Sequence, residues 1–185
     1  MGKLDGAKGY LAGAITYVDD DGVCWRKELK KYADILIPRL SFLDPTDKPM
    51  GLGSEIGFEK GQAKKWKQDG EYDKLTRHVK KYRRYDLRMT DEAQFLIWYI
   101  DLDIFTVGSI DETINCEKQK KPLFAIIKQG KKNAPDWLFA MMKHQEMFES
   151  IQECVDYLAK LDSGEIEMDE RWVLYNGLCG ASNVS

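Results

Sequence analysis

One run, Phe-Leu-Ile-Trp-Tyr-Ile at residues 95–100, constrains this chain more than any other. Six consecutive apolar residues, β-branched and aromatic ones among them, leave no face for solvent. The run predicts a central strand buried on both sides. It is far too short for the ~20 residues that a helix needs to span a bilayer. A strand covered on both faces requires helices above and below, and the flanking sequence supplies them. Residues 9–15 read as a short buried strand. Trp25, Leu29, Tyr32 and Ala33 recur at helical spacing and predict a helix over 23–34. Residues 35–40 read as a second strand, with Pro38 placing it at an edge or a strand end. Residues 43–54 hold two prolines and two glycines and read as a loop.

Most of 55–88 has helical patterning, 108–120 predicts a helix stopped by Pro122, 122–128 another buried strand, and 150–161 a helix. Residues 171–178 read as a last strand or a docking tail. Strand and helix alternate throughout, which means an α/β fold with a mostly parallel sheet and helices on both faces. One domain over 1–185 with a helical insertion at about 55–88 accounts for the length. Ligands of such sheets gather at the carboxyl ends of the strands. The loop after 9–15, the loop after 95–100 and the helix start at Gly108 are therefore the places to search.

Charge narrows the partners. With 28 basic and 31 acidic residues the net charge is −3, which argues against nucleic acid as a direct partner. The first ten residues carry no apolar signal core, and a cytoplasmic protein without a membrane partner is expected. Cys24, Cys116, Cys154 and Cys179 form no C-x-x-C pair, and with only His78 and His144 beside them neither a metal site nor a disulfide framework is expected. Buried thiols are the default. Arg77, Lys81, Arg84 and Arg88 share one helical face, read first as solvated and second as a phosphate-recognition surface; Arg26 and Arg39 could serve the same end. His144 is expected to be structural. Asp136 and Trp137 read first as a helix cap and a core anchor, and second as an aromatic lid over a base. Trp98 and Tyr99 read as core.

The acids after the central run pose the functional question. Asp101, Asp103, Asp111 and Glu112 crowd a short stretch at the sheet mouth. Helix-start chemistry is one reading: Ser109 as the cap and Glu112 at the third helical position make a capping box, and acids in a first turn favour the helix dipole by roughly 0.3–1 kcal/mol each. Glycosidic chemistry is the other, with one carboxylate as nucleophile and one acid for the leaving group. Spacing alone leaves both open.

A resemblance separates them. Tyr10-Leu-Ala-Gly13, Trp25-Arg26, Asp44-Pro45, Asp86-Leu87, then Gly108-Ser-Ile-Asp-Glu112 and Lys120-Lys-Pro122 together resemble the nucleoside 2-deoxyribosyltransferase family, in its phage-type subgroup, from Gly9 to about Trp137. The resemblance implies a flavodoxin-like three-layer sandwich. It implies a small-molecule nucleoside or nucleotide as ligand, no cofactor, no metal and a homo-oligomer. Glu112 matches the nucleophile that attacks C1′ of a 2′-deoxynucleoside, and Tyr10 matches the tyrosine that orients it. Gly13, Gly108, Ser109, Arg26 and Arg88 are expected to line the substrate. Two positions depart from the family pattern. Ser109 replaces a threonine and keeps the hydroxyl. Gln94 stands where an acid is usual; it is expected to bond a base edge but has no proton to deliver. Asp101 or Asp103 is then the candidate acid. A non-catalytic nucleotide-binding protein on the same fold is the alternative.

Overall fold

Strand alternation, not helix propensity, sets the layers of this molecule. A computed structural model describes residues 2–48 and 55–173. Five strands, β1 (Lys8–Gly13), β2 (Ser41–Leu43), β3 (Phe95–Ile100), β4 (Leu123–Ile127) and β5 (Met147–Phe148), form one sheet in the order β2-β1-β3-β4-β5. All four neighbouring pairs are parallel, with Tyr10 opposite Leu96 and Trp98 opposite Ala125. That order, with its reversal between β1 and β3, is the doubly wound arrangement of flavodoxin-like proteins.

Successive side chains on a strand face opposite ways, so the core divides in two. On one face Leu11, Phe95, Ile97, Phe124 and Ile126 pack against α1 (Val23–Leu36) and α6 (Ile151–Ser163). On the other, Tyr10, Ala12, Leu96, Ile100, Leu123 and Ala125 pack against α3 (Tyr72–Glu92) and α4 (Val107–Lys118). Each fully buried Leu, Ile or Phe stabilises this arrangement by roughly 1.5–3 kcal/mol. The helical insertion consists of α2 (Gly57–Gln68) and α3, which pack on each other, with Gly70 in a left-handed turn between them. A short helix, α5 (Leu138–Met141), lies between β4 and β5.

Several expectations change, and one strand was not foreseen. Residues 35–40 are not a strand: α1 runs to Leu36, Pro38 lies in a turn, and the pairing edge is Ser41–Leu43. Strand β5, two residues long, is too short to leave a pattern in the sequence. Helix α4 begins at Val107 and ends at Lys118. Trp137 is 78% exposed and anchors nothing in the core. The end of the described chain behaves as a docking tail, since the Trp172 ring packs against Phe95 and Phe124; residues 174–178 of that expectation lie outside the described residues. Cys116 and Cys154 are buried thiols as expected, whereas Cys24 is exposed on α1; Cys179 lies outside the described residues. No helix among the described residues is long and apolar enough to cross a membrane.

Candidate functional site

The carboxyl end of β1 is held by one buried arginine. Arg26 is fully buried at the start of α1. Its guanidinium donates to the carbonyls of Leu11 (3.2 Å), Gly13 (3.1 Å) and Gly22 (2.8 Å), and its Nε lies 3.5 Å from Asp44 Oδ1. Asp44 is shared with Lys30 at 2.6 Å and accepts from Thr46. Gly22 has φ +69, and a Cβ there would stand 2.2 Å from the Ala14 carbonyl, so only glycine makes this turn. Arg26 is thus spent on backbone and Asp44. It is not the substrate-binding arginine expected of it; it shapes the mouth from beneath.

Tyr10, one residue before Leu11, faces the opposite layer. There α4 presents Ser109, Glu112, Thr113 and Cys116 inward, at the i, i+3, i+4, i+7 spacing of one helical face. Tyr10 Oη donates to Glu112 Oε1 at 2.8 Å. Glu112 is not a capping residue. The N-cap of α4 is Thr106, which makes no side-chain cap bond, and no acid lies in the first turn. Glu112 falls in the second turn, where a dipole argument has little force. Ser109 is buried and accepts at its carbonyl from the Thr113 hydroxyl, so it is part of the helix wall and caps nothing. Asp111 points outward to Arg83 of α3 at 2.8 Å.

A third element completes the cluster. Tyr82 and Asp86 lie one turn apart on α3, and Asp86 is buried against Lys48 Nζ at 2.7 Å. Lys48 also stands 5.4 Å from the centre of the Tyr82 ring. Glu55, just ahead of α2, reaches in from the side and accepts from Thr16 Oγ1 at 3.5 Å. Glu112 keeps partial solvent contact, yet enough protein surrounds its carboxyl to disfavour the charge. Burial first, then the negative charges of Asp86 and Glu55, push its pKa up to about 8; the Tyr10 hydroxyl and Arg26 oppose them. Asp86 is raised by burial against the pull of Lys48 and Arg26. Glu55 is raised by burial and by Asp86. Tyr10 is pushed well up, by burial and then by Glu112, so it remains a neutral donor. Three carboxyls therefore share a region served by two cations, Lys48 and Arg26, and the second is already committed to Asp44. The site holds exchangeable protons at neutral pH, with a tyrosine hydroxyl aimed at one carboxyl.

The remaining expected residues are dispersed. Gln94 sits at the opposite, amino-terminal end of the sheet, where its Oε1 accepts from the Lys8 amide at 2.7 Å and its amide donates to the Glu92 carbonyl. It fastens β1 to β3, with its side-chain oxygen and amide both engaged by backbone. Asp101 follows β3 and is held by Lys128 Nζ (2.6 Å), Gln129 Nε2 (2.7 Å) and the Asp103 amide (3.1 Å). Burial would raise its pKa, but these partners outweigh burial and keep it below the usual carboxylate range. An acid so fixed has no proton to donate at neutral pH. Asp103 is exposed and accepts from Gln129 Nε2 at 3.2 Å. Arg88 is exposed, and so are Arg77, Lys81 and Arg84; that face is solvated. Gly13 is needed for packing: a Cβ there would stand 2.9 Å from Trp25 Cζ2 and 3.2 Å from the Tyr99 carbonyl. The Trp25 ring stacks on Tyr99 at 4.9 Å, and Trp98 and Tyr99 are partly buried, packed against the core on opposite faces of the sheet. Gly108 meets no such neighbour and is open. Lys48 and Glu55 carried no signal in the sequence, because Lys48 lies within, and Glu55 directly after, the Pro- and Gly-rich stretch 43–54 read as a plain loop. Asp86 was visible as half of the Asp86-Leu87 pair.

No family model and no curated protein matches this chain. Among solved structures the chain is similar to an FMN-dependent NADH-azoreductase from Bacillus anthracis str. Ames Ancestor in complex with FMN. The two are 12% identical over 87% of this chain and 100% of that one, with a TM-score of 0.38. At that distance nothing about chemistry passes between them.

Proposed function

We propose that this protein cleaves the N-glycosidic bond of a 2′-deoxynucleoside or its 5′-monophosphate, or transfers the 2-deoxyribosyl group between bases. Glu112 is the nucleophile and Tyr10 orients it. The single observation that carries the reading is the 2.8 Å Tyr10–Glu112 bond between β1 and α4. It joins the two residues that the family resemblance pairs. Ionised Glu112 attacks C1′, and the pair of electrons from the broken C–N bond leaves with the base. Water or a second base then takes the sugar from the ester. With Arg26 spent on carbonyls and Arg88 in solvent, neither arginine favours the monophosphate over the free nucleoside.

The experiment is mass spectrometry of the intact protein after mixing with 2′-deoxynucleosides. A 2-deoxyribosyl adduct that is absent from Glu112→Gln supports the reading. New nucleoside appearing only when a second base is present assigns transfer; free base without it assigns hydrolysis. A second reading, a non-catalytic nucleotide-binding protein, is favoured by the surroundings of Glu112: burial and the charges of Asp86 and Glu55 push its pKa up to about 8, and a protonated carboxyl is no nucleophile. That reading requires a melting-temperature shift with deoxynucleotide and neither adduct nor free base on long incubation.

A further inference from the structure

We propose that Glu55 is the acid that protonates the departing base, an assignment that rests on the glycosidic reading above. The argument is one of availability. Nucleobases are poor leaving groups unless a proton meets the electron pair of the broken bond. Four competing carboxyls are already engaged, and the fifth, Asp103, is exposed after β3 and bonded to Gln129. Asp86 is clamped by Lys48 at 2.7 Å, with only 4% and 2% of their side chains exposed. Asp44 is held by Lys30, Thr46 and Arg26. Asp101 is fixed by Lys128 and Gln129, and Glu112 faces Tyr10. Glu55 differs: among the described residues its carboxyl has one long contact, 3.5 Å from Thr16 Oγ1. A carboxyl held so loosely is free to turn toward a ligand.

Its location also fits. Glu55 lies next to α2, across the β1–α1 loop from Thr16, and its charge acts on Glu112 and on Tyr82. It therefore approaches the same mouth from the insertion side while Glu112 approaches from α4. Burial and then the negative charge of Asp86 raise its pKa above the ordinary glutamate value, which favours the acid form that a proton donor needs. Two carboxyls on separate elements, one attacking and one donating, is the division of labour that glycosidic cleavage requires. In the first step Glu112 Oε forms a bond to C1′ as the C1′–N bond breaks, and the base nitrogen takes the proton from Glu55. In the second, water or an incoming base N–H attacks C1′ and gives its proton back to Glu55 as the ester bond breaks.

The test compares two substrates. 2′-Deoxyinosine needs a proton on its leaving base. In 7-methyl-2′-deoxyguanosine the cationic purine is neutralised by the departing electron pair and needs none. Glu55→Gln is expected to lose about 10²–10⁴-fold on 2′-deoxyinosine while staying within about tenfold of the wild type on the methylated substrate. Glu55→Asp, which keeps an acid, is expected to recover part of the loss. Equal losses on both substrates, or loss with neither, overturn the role of Glu55 and leave the nucleophile standing. Wild-type protein that releases base from neither substrate overturns the glycosidic reading itself and the donor with it.

Discussion

Tyr10 and Glu112 are 102 residues apart in sequence and 2.8 Å apart at their oxygens. The bond ties the sheet to α4 and lowers the affinity of Glu112 for a proton. Tyr10→Phe removes it while preserving the ring. The expected outcome is a higher titration midpoint for Glu112 and a stability loss of about 1–3 kcal/mol, larger at pH 9 than at pH 6 because a hydroxyl bond to a charged acceptor is the stronger one. Urea unfolding at the two pH values measures it. An equal loss at both means that the hydroxyl does not act on the ionised carboxyl.

Glu112 also makes folding depend on pH in an unusual direction. Its folded pKa of about 8 lies above the ordinary 4.5. Between those two values the folded chain holds a proton that the unfolded chain releases. Stability is therefore highest below the unfolded value and falls as pH rises toward the folded one, by up to about 1.4 kcal/mol per unit. Glu112→Gln has no such slope. At pH 8 the variant is expected to be more stable than the wild type, by on the order of 3 kcal/mol, and to be catalytically dead. Thermal unfolding from pH 5 to 8 checks this; parallel curves for the two proteins would contradict the shift.

Lys48 and Asp86 form a buried pair at 2.7 Å. Breaking it from one side leaves an uncompensated charge. Lys48→Met is expected to cost about 3–5 kcal/mol. Adding Asp86→Asn removes the stranded charge and should restore a good part of that loss. A double-mutant cycle in guanidinium reads the coupling, and simple additivity of the two changes would show that the pair contributes nothing to folding.

Periodicity made the layers legible and the site only partly so. The unbroken apolar runs at 95–100 and 123–127 announced strands buried on both faces. Residues 9–15 read only as a buried strand; that Tyr10 and Leu11 fall in opposite layers is a finding of the structure. Residues 35–40 misled because Ile35 and Leu36 look like the start of a strand, yet they end a helix on its exposed side, 70% and 45% exposed. Gln94 misled for a different reason. Its spacing from Asp86 suggested a place in the site, but a residue just before a parallel strand lies at the end of the sheet away from ligands. Arg26 looked like an anion receptor, because a sequence shows a charge and not the carbonyls that consume it. The Glu112–Tyr10 pair came from the family resemblance, which supplied a long-range contact that spacing cannot.

Two glycines separate packing from binding. Gly13 lies under Trp25 and the Tyr99 carbonyl, so Gly13→Ala forces the Trp25–Tyr99 stack apart. Overpacking of this kind costs about 1–3 kcal/mol, and the variant should lose stability and activity together. Gly108 lies in the first turn of α4 with open space where a Cβ would go. Gly108→Ala restricts the unfolded chain at no steric expense and is expected to gain about 0.4–1 kcal/mol. If a deoxynucleoside rests against that turn, as the glycosidic reading holds, the added methyl raises KM while Tm rises. A Gly108→Ala protein that is both more stable and unchanged in KM would place the substrate elsewhere on the rim.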